Sequence, residues 1–413
     1  MFKKFLAFIC IFVLVINFNT IVIADDYDEI EESLNEEEIE EVVAKSSDVP
    51  IINSRSAIIY DRTSKQIIYG KAENERRKMA STTKIITSLV TIENTNLEDV
   101  VVISKKAAGT GGSRLGLSTG DKITVKDLLY GLMLCSGNDA AVAIAEYVGG
   151  SVEGFQEIMN KKALELGLKN THFVTPHGLD ADEHYTTAYE LALITDYALN
   201  VETFKKIVGT KNYTIYINGN PKNIHNTNEL LGVLNGVYGV KTGFTNGANR
   251  CLVTATKRDN LDIICVVLGA DTKKFRTSDS IKLIEYAFTN YELVNLTQIA
   301  EKEFVSWKIE EDRKININKG KKDLSNVIID LKNIKYYPIK NGEINKIKAE
   351  IECEKYLEAP VYKEQIVGHL SLKIDGKEIL NENIIVENDN LKKTWSDYFV
   401  ELINRYKTLL TTS

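Results

Sequence analysis

The sequence of 413 residues has few of the residue types that cross-link a fold or hold a metal. Its five cysteines are scattered among apolar neighbours with no CxxC pair, so a disulfide framework is not expected. We expect the cysteines to be small buried side chains instead. Its five histidines lack the spacing of zinc ligands, and the sequence predicts neither a metal nor another cofactor.

A strong charge of one sign is also missing from the main part of the chain. The formal net charge is −7, but residues 25–48 alone hold twelve acidic residues and a single lysine. Residues 49–413 therefore carry a formal charge of only +2, with no basic stripe that would indicate a nucleic-acid partner. We predict that the segment 25–49 is an acidic linker, either solvated or a frayed helix.

One long apolar run occurs, and it lies at the start of the chain. Lys3 and Lys4 precede it, and Val22-Ile23-Ala24 supplies a small residue for cleavage. This pattern predicts a secretory signal peptide over 1–24, although the run over 5–23 is long enough for a retained membrane anchor to be the alternative. We expect an exported protein at the extracytoplasmic face of the membrane or in the cell wall.

The remaining apolar pattern predicts two folded domains. In the first, over 50–290, strands at both ends and helices between them indicate an α+β domain whose sheet is closed by its two ends. Its strand runs are 56–60, 66–69, 251–257 and 261–268, and its helical runs are 82–94, 124–134, 138–148, 152–167, 187–199 and 278–289. The second domain, over 291–388, is predicted to be a small β-sandwich. Its alternating runs are 303–308, 326–331, 346–353, 365–373 and 379–386.

The last segment, 389–413, is predicted to form an amphipathic helix, because large apolar residues recur at steps of three and four. Its charged residues exclude a comfortable membrane span. Lying flat in the membrane interface and docking on the protein's own core are the two alternatives. The apolar residues are Trp395, Tyr398, Phe399, Leu402, Ile403, Tyr406, Leu409 and Leu410.

The first motif with chemical potential is Ser81-Thr82-Thr83-Lys84, at the start of an apolar helical run. Lys84 lies three residues after Ser81, so both side chains share one helical face. A serine becomes a strong nucleophile when a neighbour takes its proton, and a lysine does so when burial or another cation lowers its pKa. Alone, the motif has an ordinary alternative, an N-cap serine and a surface lysine.

Two further motifs follow along the chain. Ser136-Gly137-Asn138 lies between an apolar helix and a helix of small residues, where Gly137 allows a turn that presents both flanking side chains to one cleft. Lys241-Thr242-Gly243 offers a cation, a hydroxyl group and close backbone approach to a substrate carboxylate. An ordinary helix–helix turn and a turn into an edge strand are the alternatives.

Together and in this order, the three motifs form the set known from penicillin-binding proteins and class A β-lactamases. Residues 50–390 resemble the low-molecular-weight penicillin-binding proteins, which are serine-type D-alanyl-D-alanine carboxypeptidases. The resemblance implies a β-lactamase/transpeptidase-like catalytic domain followed by an all-β sandwich. Ser-Gly-Asn is the carboxypeptidase form of the second motif. Supporting stretches are 112–117, 132–141, 171–179, 359–361 and 366–368.

The resemblance also implies roles in catalysis. Ser81 attacks the carbonyl of the penultimate D-Ala of a peptidoglycan stem peptide, and β-lactam antibiotics acylate the same serine. Lys84 takes the serine proton, Ser136 relays it to the leaving amine, and Asn138 holds the peptide chain of the substrate.

Recognition of the terminal carboxylate is implied for Lys241 and Thr242, with Gly243 allowing close approach. Arg276 falls where the family has a carboxylate-binding arginine, and a surface salt bridge is its alternative role. The backbone N–H groups of Ser81 and Phe244 are expected to form the oxyanion hole. Some relatives have a histidine at the position of Phe244.

Two other functions compete with a carboxypeptidase. A β-lactamase has the same acylation chemistry, but no convincing Glu-x-x-x-Asn that would supply a deacylation base follows Asn138. A non-catalytic wall-binding surface protein would not need the three intact motifs. The balance between carboxypeptidase and endopeptidase activity is left open by the sequence.

Overall fold

The computed structural model describes residues 32–44, 49–310 and 314–411. The predicted signal peptide lies outside these residues. The chain divides into two compact units, of which the first ends at Thr289 and the second begins at Asn290. The first mixes helices with a sheet and the second is built mainly from strands, which confirms the predicted α+β class.

The central element of the first unit is a five-stranded antiparallel sheet. Its strands are β1 (Ser56–Asp61), β2 (Ile67–Lys71), β7 (Val237–Thr245), β8 (Asn249–Arg258) and β9 (Leu261–Ala270). The strand order is β2-β1-β9-β8-β7. The first two strands therefore lie beside the last three, as predicted for a sheet closed by its two ends.

The helices of the first unit begin close to the predicted positions, because polar residues cap the apolar runs. Thr124, Ser151 and Thr187 each accept a hydrogen bond from the backbone N–H three residues on, which stabilises a helix start by about 1 kcal/mol. The helices are α1 (Glu36–Ala44), α2 (Lys84–Asn94), α3 (Lys105–Ala108), α4 (Val125–Leu134), α5 (Asn138–Gly149), α6 (Val152–Glu165), α7 (Ala188–Ala198), α8 (Glu202–Val208) and α9 (Lys273–Asn290).

Two small hairpins complete the first unit, and the sequence analysis did not predict them. Strands β3 (Val100–Val102) and β4 (Lys122–Thr124) form one, and β5 (Asn212–Ile217) and β6 (Asn220–His225) form the other. The second turns through Asn218-Gly219, where both residues have positive φ angles. An Asn-Gly pair between two strand-like runs is the usual sequence signal of such a turn.

The acidic segment was expected to be either a solvated linker or a frayed helix, and part of it, Glu36–Ala44, is the helix α1. Asn35 and Glu38 form a reciprocal cap, with N–H to carboxylate or amide oxygen distances of 2.9 and 2.8 Å. The Glu38 carboxylate also accepts a hydrogen bond from Lys274 Nζ at 3.0 Å, and Ile39 is buried. One apolar side chain and one ion pair thus hold a helix whose composition indicated solvation.

The second unit contains several small sheets around one apolar core. The strands are β10 (Tyr291–Asn295), β11 (Ile315–Asn318), β12 (Leu324–Ser325), β13 (Val327–Ile329), β14 (Tyr336–Lys340), β15 (Lys348–Cys353), β16 (Tyr356–Glu358), β17 (Ile366–Ile374) and β18 (Lys377–Val386). They pair as β10-β14, β12-β11-β16 and β13-β18-β17-β15.

One predicted strand of this unit is wrong. Residues 303–308 belong to a helix, α10 (Leu296–Glu310), and not to a strand. Leu296, Ala300 and Phe304 are buried in the core of the unit, and their spacing of four residues is that of a helical face rather than a strand. The helix packs on β14, β15 and β17.

The predicted C-terminal amphipathic helix is α11 (Trp395–Thr411). Its large apolar side chains stay exposed, from 39% for Ile403 to 88% for Trp395. They therefore do not enter the core of the second unit, which was one of the two alternatives. Among the described residues, no helix combines the length and apolar character that crossing a membrane requires.

The four cysteines within the described residues are free thiols. Cys251 and Cys265 are fully buried in β8 and β9, as expected of small apolar side chains, whereas Cys135 and Cys353 are only partly buried. Burial raises the pKa of the Cys251 thiol to about 12, so this thiol is an inert packing group.

Candidate active site

Ser81 lies in a short 3₁₀ turn, Ala80–Thr83, which leads directly into α2. Lys84 is the first residue of the helix and is completely buried, and its Nζ lies 2.6 Å from Ser81 Oγ. The turn and the helix start thus bring together the serine and the amine that the first motif predicted. Neither residue is the N-cap serine or surface lysine of the alternative interpretation.

Two further oxygen atoms hold the Lys84 amine in place. Its Nζ lies 2.7 Å from Asn138 Oδ1 and 2.8 Å from the carbonyl oxygen of His177. The predicted residues Ser81, Lys84 and Asn138 therefore share one hydrogen-bonded cluster. Ser136 stands two residues before Asn138 with a φ angle of +59°, a left-handed conformation that few non-glycine residues adopt and that is frequent at functional sites.

A loop before α4 packs on the second motif and fixes its turn. The Asn138 N–H donates to the Ser113 carbonyl at 2.8 Å, and Asn138 Nδ2 donates to the Gly111 carbonyl at 2.9 Å. Asp139 is fully buried, and its carboxylate accepts the backbone N–H groups of Leu115, Gly116 and Leu117 at 2.7, 2.8 and 3.0 Å. The sequence analysis named this loop as a supporting stretch but did not find Asp139 as the residue that anchors it.

The third motif lies inside β7, at an edge of the five-stranded sheet. Lys241 is 1% exposed. A Cβ atom on Gly243 would come within 3.0 Å of the Ser81 backbone nitrogen and 3.1 Å of the Thr82 nitrogen. The glycine therefore allows β7 to pass directly beside the nucleophile turn, where a side chain would separate them.

Gly178 likewise allows a close approach of the backbone on the other side of the nucleophile turn. A Cβ atom there would lie 1.9 Å from the Ala80 carbonyl oxygen, and the φ angle of Gly178 is +89°. The preceding Thr175 accepts the Gly178 N–H at its Oγ1 at 3.1 Å. The Pro-His-Gly turn, which the sequence analysis noted as part of the resemblance, thus supports both Ser81 and, through the His177 carbonyl, Lys84.

Arg276 is not a surface residue, because only 1% of its side chain is exposed. Its Nη2 donates to both carboxylate oxygens of Glu229, at 2.9 and 2.8 Å, and Thr277 Oγ1 donates to the same carboxylate at 2.8 Å. Burial would raise the pKa of the Glu229 carboxyl, but the charges of Arg276 and Lys273 and the hydrogen bonds from Arg276 and Thr277 together outweigh it and lower that pKa. Glu229 was not predicted. It lies 47 positions from Arg276 in the chain, so no local pattern in the sequence links the two residues.

Phe244 follows the third motif in β7, and the Arg250 guanidinium stacks over its ring at 3.7 Å from the centroid. This cation–π contact fixes a side chain where some relatives have a histidine. Thr242 Oγ1 lies 2.7 Å from Thr227 Oγ1, so a residue outside the three motifs reaches the third motif.

Two histidines, His184 buried and His177 half-buried, lie behind the nucleophile turn. His177 Nδ1 accepts the Leu179 N–H at 3.1 Å, and His184 Nδ1 accepts the Val174 N–H at 2.9 Å while its Nε2 faces Thr83 Oγ1. Burial lowers the pKa of His177 to about 3. Burial likewise lowers the pKa of His184 to about 4. Both rings are therefore neutral at pH 7.

The arrangement suits nucleophilic acyl transfer. A serine hydroxyl adjoins a buried amine that can take its proton, which is the pair of groups that activates a serine nucleophile. Within the part of the chain that the structure describes, no cluster of three or more His, Cys, Asp or Glu side chains could hold a metal ion. The fold and the three motifs define a serine acyl-enzyme of the penicillin-binding class.

Comparison with known families identifies the chain more closely. Residues 43–272 match the family model described as D-alanyl-D-alanine carboxypeptidase, and residues 300–392 match that of the penicillin-binding protein 5 C-terminal domain. The chain belongs to the D-alanyl-D-alanine carboxypeptidase family. This confirms the resemblance on which the sequence analysis relied, together with the predicted pair of domains.

Individual relatives agree with this assignment. The chain is 37% identical over 348 residues to the D-alanyl-D-alanine carboxypeptidase DacF of Bacillus subtilis, covering 82% of this chain and 86% of that protein. It is 34% identical over 356 residues to DacA of Haemophilus influenzae, with coverage of 82% and 86%.

Solved structures give the same result. Penicillin-binding protein 5 of Haemophilus influenzae matches with a TM-score of 0.67 and 30% identity, covering 84% of this chain and 99% of that structure. The Streptomyces K15 DD-transpeptidase matches with a TM-score of 0.56 and 36% identity, covering 58% of this chain and 99% of that structure.

Proposed function

We propose that the protein removes the terminal D-Ala from peptidoglycan stem pentapeptides through an acyl-enzyme on Ser81, and that penicillins acylate the same serine. It is a serine-type D-alanyl-D-alanine carboxypeptidase, a hydrolase, as its family indicates. The observation that carries the proposal is the distance of 2.6 Å between the completely buried Lys84 amine and Ser81 Oγ. A buried amine is disposed to be neutral and to accept a proton, because burial disfavours the charged form.

In the acylation step, Ser81 Oγ attacks the carbonyl carbon of the penultimate D-Ala while its proton passes to Lys84 Nζ. The negative charge that develops on the carbonyl oxygen is stabilised by the backbone N–H groups of Ser81 and Phe244. The close approach of Gly243 to the Ser81 nitrogen supports this oxyanion hole. Each such donor lowers the barrier by about 3–4 kcal/mol.

Ser136 then relays the proton to the amine of the departing D-Ala, and water hydrolyses the ester at Ser81. The left-handed backbone at Ser136 supports this role, because it presents the side chain from a tight turn next to Asn138. Asn138 binds the Lys84 amine through Oδ1, so its contact with the substrate peptide is an additional role that we assign to the same amide.

The terminal carboxylate of the substrate is bound by Lys241 and Thr242, with Arg276 behind them. Because Glu229 already neutralises Arg276 at 2.8–2.9 Å, Lys241 supplies most of the attraction. A charge-assisted hydrogen bond to a carboxylate is worth about 1.5–3 kcal/mol.

The protein is proposed to work outside the cell, at the membrane surface, with residues 50–290 catalytic, 291–388 a β-sandwich domain and 389–413 the membrane-contacting helix. The large apolar side chains of α11 between Trp395 and Leu409, each at least 39% exposed, support contact with a membrane interface. Glu401 and Arg405 on the same helix suit a helix that lies in the interface rather than across it.

Release of D-Ala from a diacyl-D-Ala-D-Ala peptide tests the proposal. Wild-type protein should release D-Ala and bind fluorescent penicillin covalently. Rapid hydrolysis of penicillin without D-Ala release would instead indicate a β-lactamase, and absence of both reactions would indicate a wall-binding protein without catalysis. Release from cross-linked peptides would reveal endopeptidase activity.

A further inference from the structure

We propose that Thr227 is a positioning residue that orients the Thr242 hydroxyl toward the terminal carboxylate of the substrate and so sets the preference for a free carboxylate. The inference rests on the proposed function, because it needs Thr242 to contact that carboxylate. Thr227 belongs to none of the three motifs. Its hydroxyl oxygen lies 2.7 Å from that of Thr242.

Thr227 lies in the segment between β6 and β7, and this segment contacts both the end of α4, just before the second motif, and the third motif. Its backbone N–H donates to the Leu134 carbonyl at 3.0 Å, and Leu134 ends α4 two residues before Ser136. Its side chain reaches Thr242 on β7. Thr227 is exposed, whereas its neighbour Asn228 is 3% exposed, so the turn is anchored in the protein while Thr227 remains open to solvent.

The turn is held rigidly on both sides of Thr227. Asn226 Nδ2 donates to the carbonyl groups of Val208 and Thr210, at 3.3 and 3.0 Å. Asn226 Oδ1 accepts the Asn228 N–H at 2.9 Å, and Asn228 Oδ1 accepts the Leu230 N–H at 3.2 Å. Local bonds of this kind fix the backbone of a turn, and they leave little freedom for the position of the Thr227 hydroxyl.

The hydrogen bond between the two hydroxyl groups can run in either direction, and a bound carboxylate favours one of them. Each hydroxyl group has one proton and two acceptor positions. When Thr227 donates to Thr242, the single proton of Thr242 is left to donate to a carboxylate. When the pair is reversed, the proton of Thr242 is used internally and a carboxylate meets only a lone pair. A substrate carboxylate therefore selects the first arrangement, in which Thr227 is the donor that orients the Thr242 hydroxyl.

The same turn also carries Glu229, two residues further on, which holds Arg276 at 2.8–2.9 Å. One short segment thus contacts two of the three groups that we assign to carboxylate recognition, Thr242 and Arg276. Lys241, the third, precedes Thr242 on β7. This arrangement points to recognition of the terminal carboxylate as the task of the turn.

The test compares Thr227→Val with the conservative Thr227→Ser on two peptides, one ending in D-Ala-D-Ala with a free carboxylate and the other ending in its amide. Thr227→Val should lower kcat/KM for the acid by about tenfold, mainly through KM, and leave the amide unchanged. Thr227→Ser should restore the preference. A loss that is equal on both peptides, or no loss on either, would overturn the inference.

A second measurement separates orientation from general damage to the fold. In a Thr242→Val background, Thr227→Val should cause no further loss on the acid peptide, because the two hydroxyl groups act as one unit. Losses that simply multiply contradict the proposal, and thermal unfolding of each variant reveals any global damage. Wild-type protein that fails to distinguish acid from amide contradicts the proposed function itself, whereas discrimination that survives Thr227→Val contradicts only the role of Thr227.

Discussion

The two units of the protein depart from ordinary globular structure in opposite ways. The first unit buries basic side chains, with Lys84 fully buried and Lys241 and Arg276 each 1% exposed. Charged side chains are seldom buried so completely, because loss of hydration is costly unless partners replace the water. Within the described residues of the second unit, no Asp, Glu, Lys or Arg side chain is buried.

The second unit instead exposes apolar side chains on one helix. Trp395, Leu402 and Tyr406 in α11 are 88%, 65% and 68% exposed, although they share a face with the spacing of a buried helix surface. Such contiguous apolar surface is a recognised sign of a contact with a protein or a membrane. In each unit the unfavourable feature lies where we assign an activity. The buried basic side chains are assigned to catalysis and substrate binding, and the exposed apolar face of α11 is assigned to membrane contact.

The buried pair of Ser81 and Lys84 in the first unit gives the largest expected effect. Ser81→Ala should abolish both D-Ala release and the covalent penicillin adduct, because the ester can no longer form. Lys84→Arg replaces the amine with a permanently charged group that cannot take a proton, since arginine does not deprotonate in proteins. We expect its rate of acylation to fall by about two to four orders of magnitude.

Mass spectrometry after exposure to penicillin measures this prediction. Lys78→Arg is a matched control, because Lys78 lies three residues before Ser81 and its side chain is 42% exposed, and this variant should acylate normally. An adduct on a residue other than Ser81, or normal acylation of Lys84→Arg, would show that the assignment of nucleophile and base is wrong.

The exposed helix of the second unit gives the next effect. Removal of residues 395–413 should release the protein from vesicles that contain anionic phospholipid while leaving D-Ala release intact. The cut follows Thr394 because the Lys393 N–H donates to the Lys319 carbonyl at 2.8 Å, and this bond to the second unit should be kept. Co-sedimentation with vesicles is the measurement.

A pair of point variants sharpens the same comparison. Phe399→Glu places a charge on the apolar face and should weaken vesicle binding by tenfold or more, since burial of one such side chain is worth about 1.5–3 kcal/mol. Asn404→Glu adds the same charge on the polar face and should change binding much less. If both variants or the truncated protein bind as wild type does, the helix is not the membrane contact.

Carboxylate recognition in the first unit is expected to give a smaller effect. Lys241→Ala should lower kcat/KM for peptides with a free terminal carboxylate by roughly 10–150-fold, the equivalent of one charge-assisted contact. Arg276→Ala should in addition lower the melting temperature, because it leaves the Glu229 carboxylate, which is 19% exposed, without its bidentate partner.

The combined variant Arg276→Ala with Glu229→Gln separates these two effects. It should recover much of the stability, because the neutral amide needs no cation, but it should not recover the preference for a free carboxylate. If Lys241→Ala and Arg276→Ala both match the wild type on D-Ala-D-Ala peptides, the carboxylate assignment fails. Kinetics on acid and amide peptides, with thermal unfolding of each variant, provide the readout.

The regular parts of both units could be predicted because their signals are local. Thr124, Ser151 and Thr187 mark helix starts, and the order of the three motifs identified the residues that the structure brings together at Ser81. The strand predicted over 303–308 failed because a short apolar run also fits a helix, and the spacing of Leu296, Ala300 and Phe304 over a longer window decides between them.

The partners of the site residues could not be predicted, because each joins segments far apart in the chain. Asp139 binds a loop more than twenty residues earlier, Thr227 reaches Thr242, and Glu229 reaches Arg276 across 47 positions. A single sequence carries no signal for such pairs. For the acidic segment the sequence left a solvated linker and a frayed helix open, because the contacts that hold α1, burial of Ile39 and the Glu38–Lys274 pair, have no local signal.

His177 and His184 in the first unit give the smallest effect, a dependence of stability on pH. In the unfolded chain a histidine takes up a proton near pH 6.5, whereas in the folded protein the pKa of His177 is about 3 and that of His184 about 4. Below pH 6.5 the unfolded state therefore binds more protons, and stability falls as the pH is lowered toward those folded values. By pH 5 each histidine should reduce the free energy of unfolding by about 2 kcal/mol relative to pH 7.5.

Urea unfolding at pH 7.5, 6.0 and 5.0 measures this slope. Between pH 7.5 and 5.0, His184→Asn should lose about 2 kcal/mol less stability than the wild type, whatever its stability at pH 7.5, because this side chain no longer takes up a proton in the unfolded state. His225→Asn is the control, since His225 is exposed in β6, and it should leave the slope nearly unchanged. Carboxyl groups contribute equally to all three proteins and cancel in the comparison. A slope in His184→Asn identical to that of the wild type would mean that the pKa of His184 is not lowered in the folded protein. The ring behind Ser81 would then become charged below pH 6.5, contrary to this prediction.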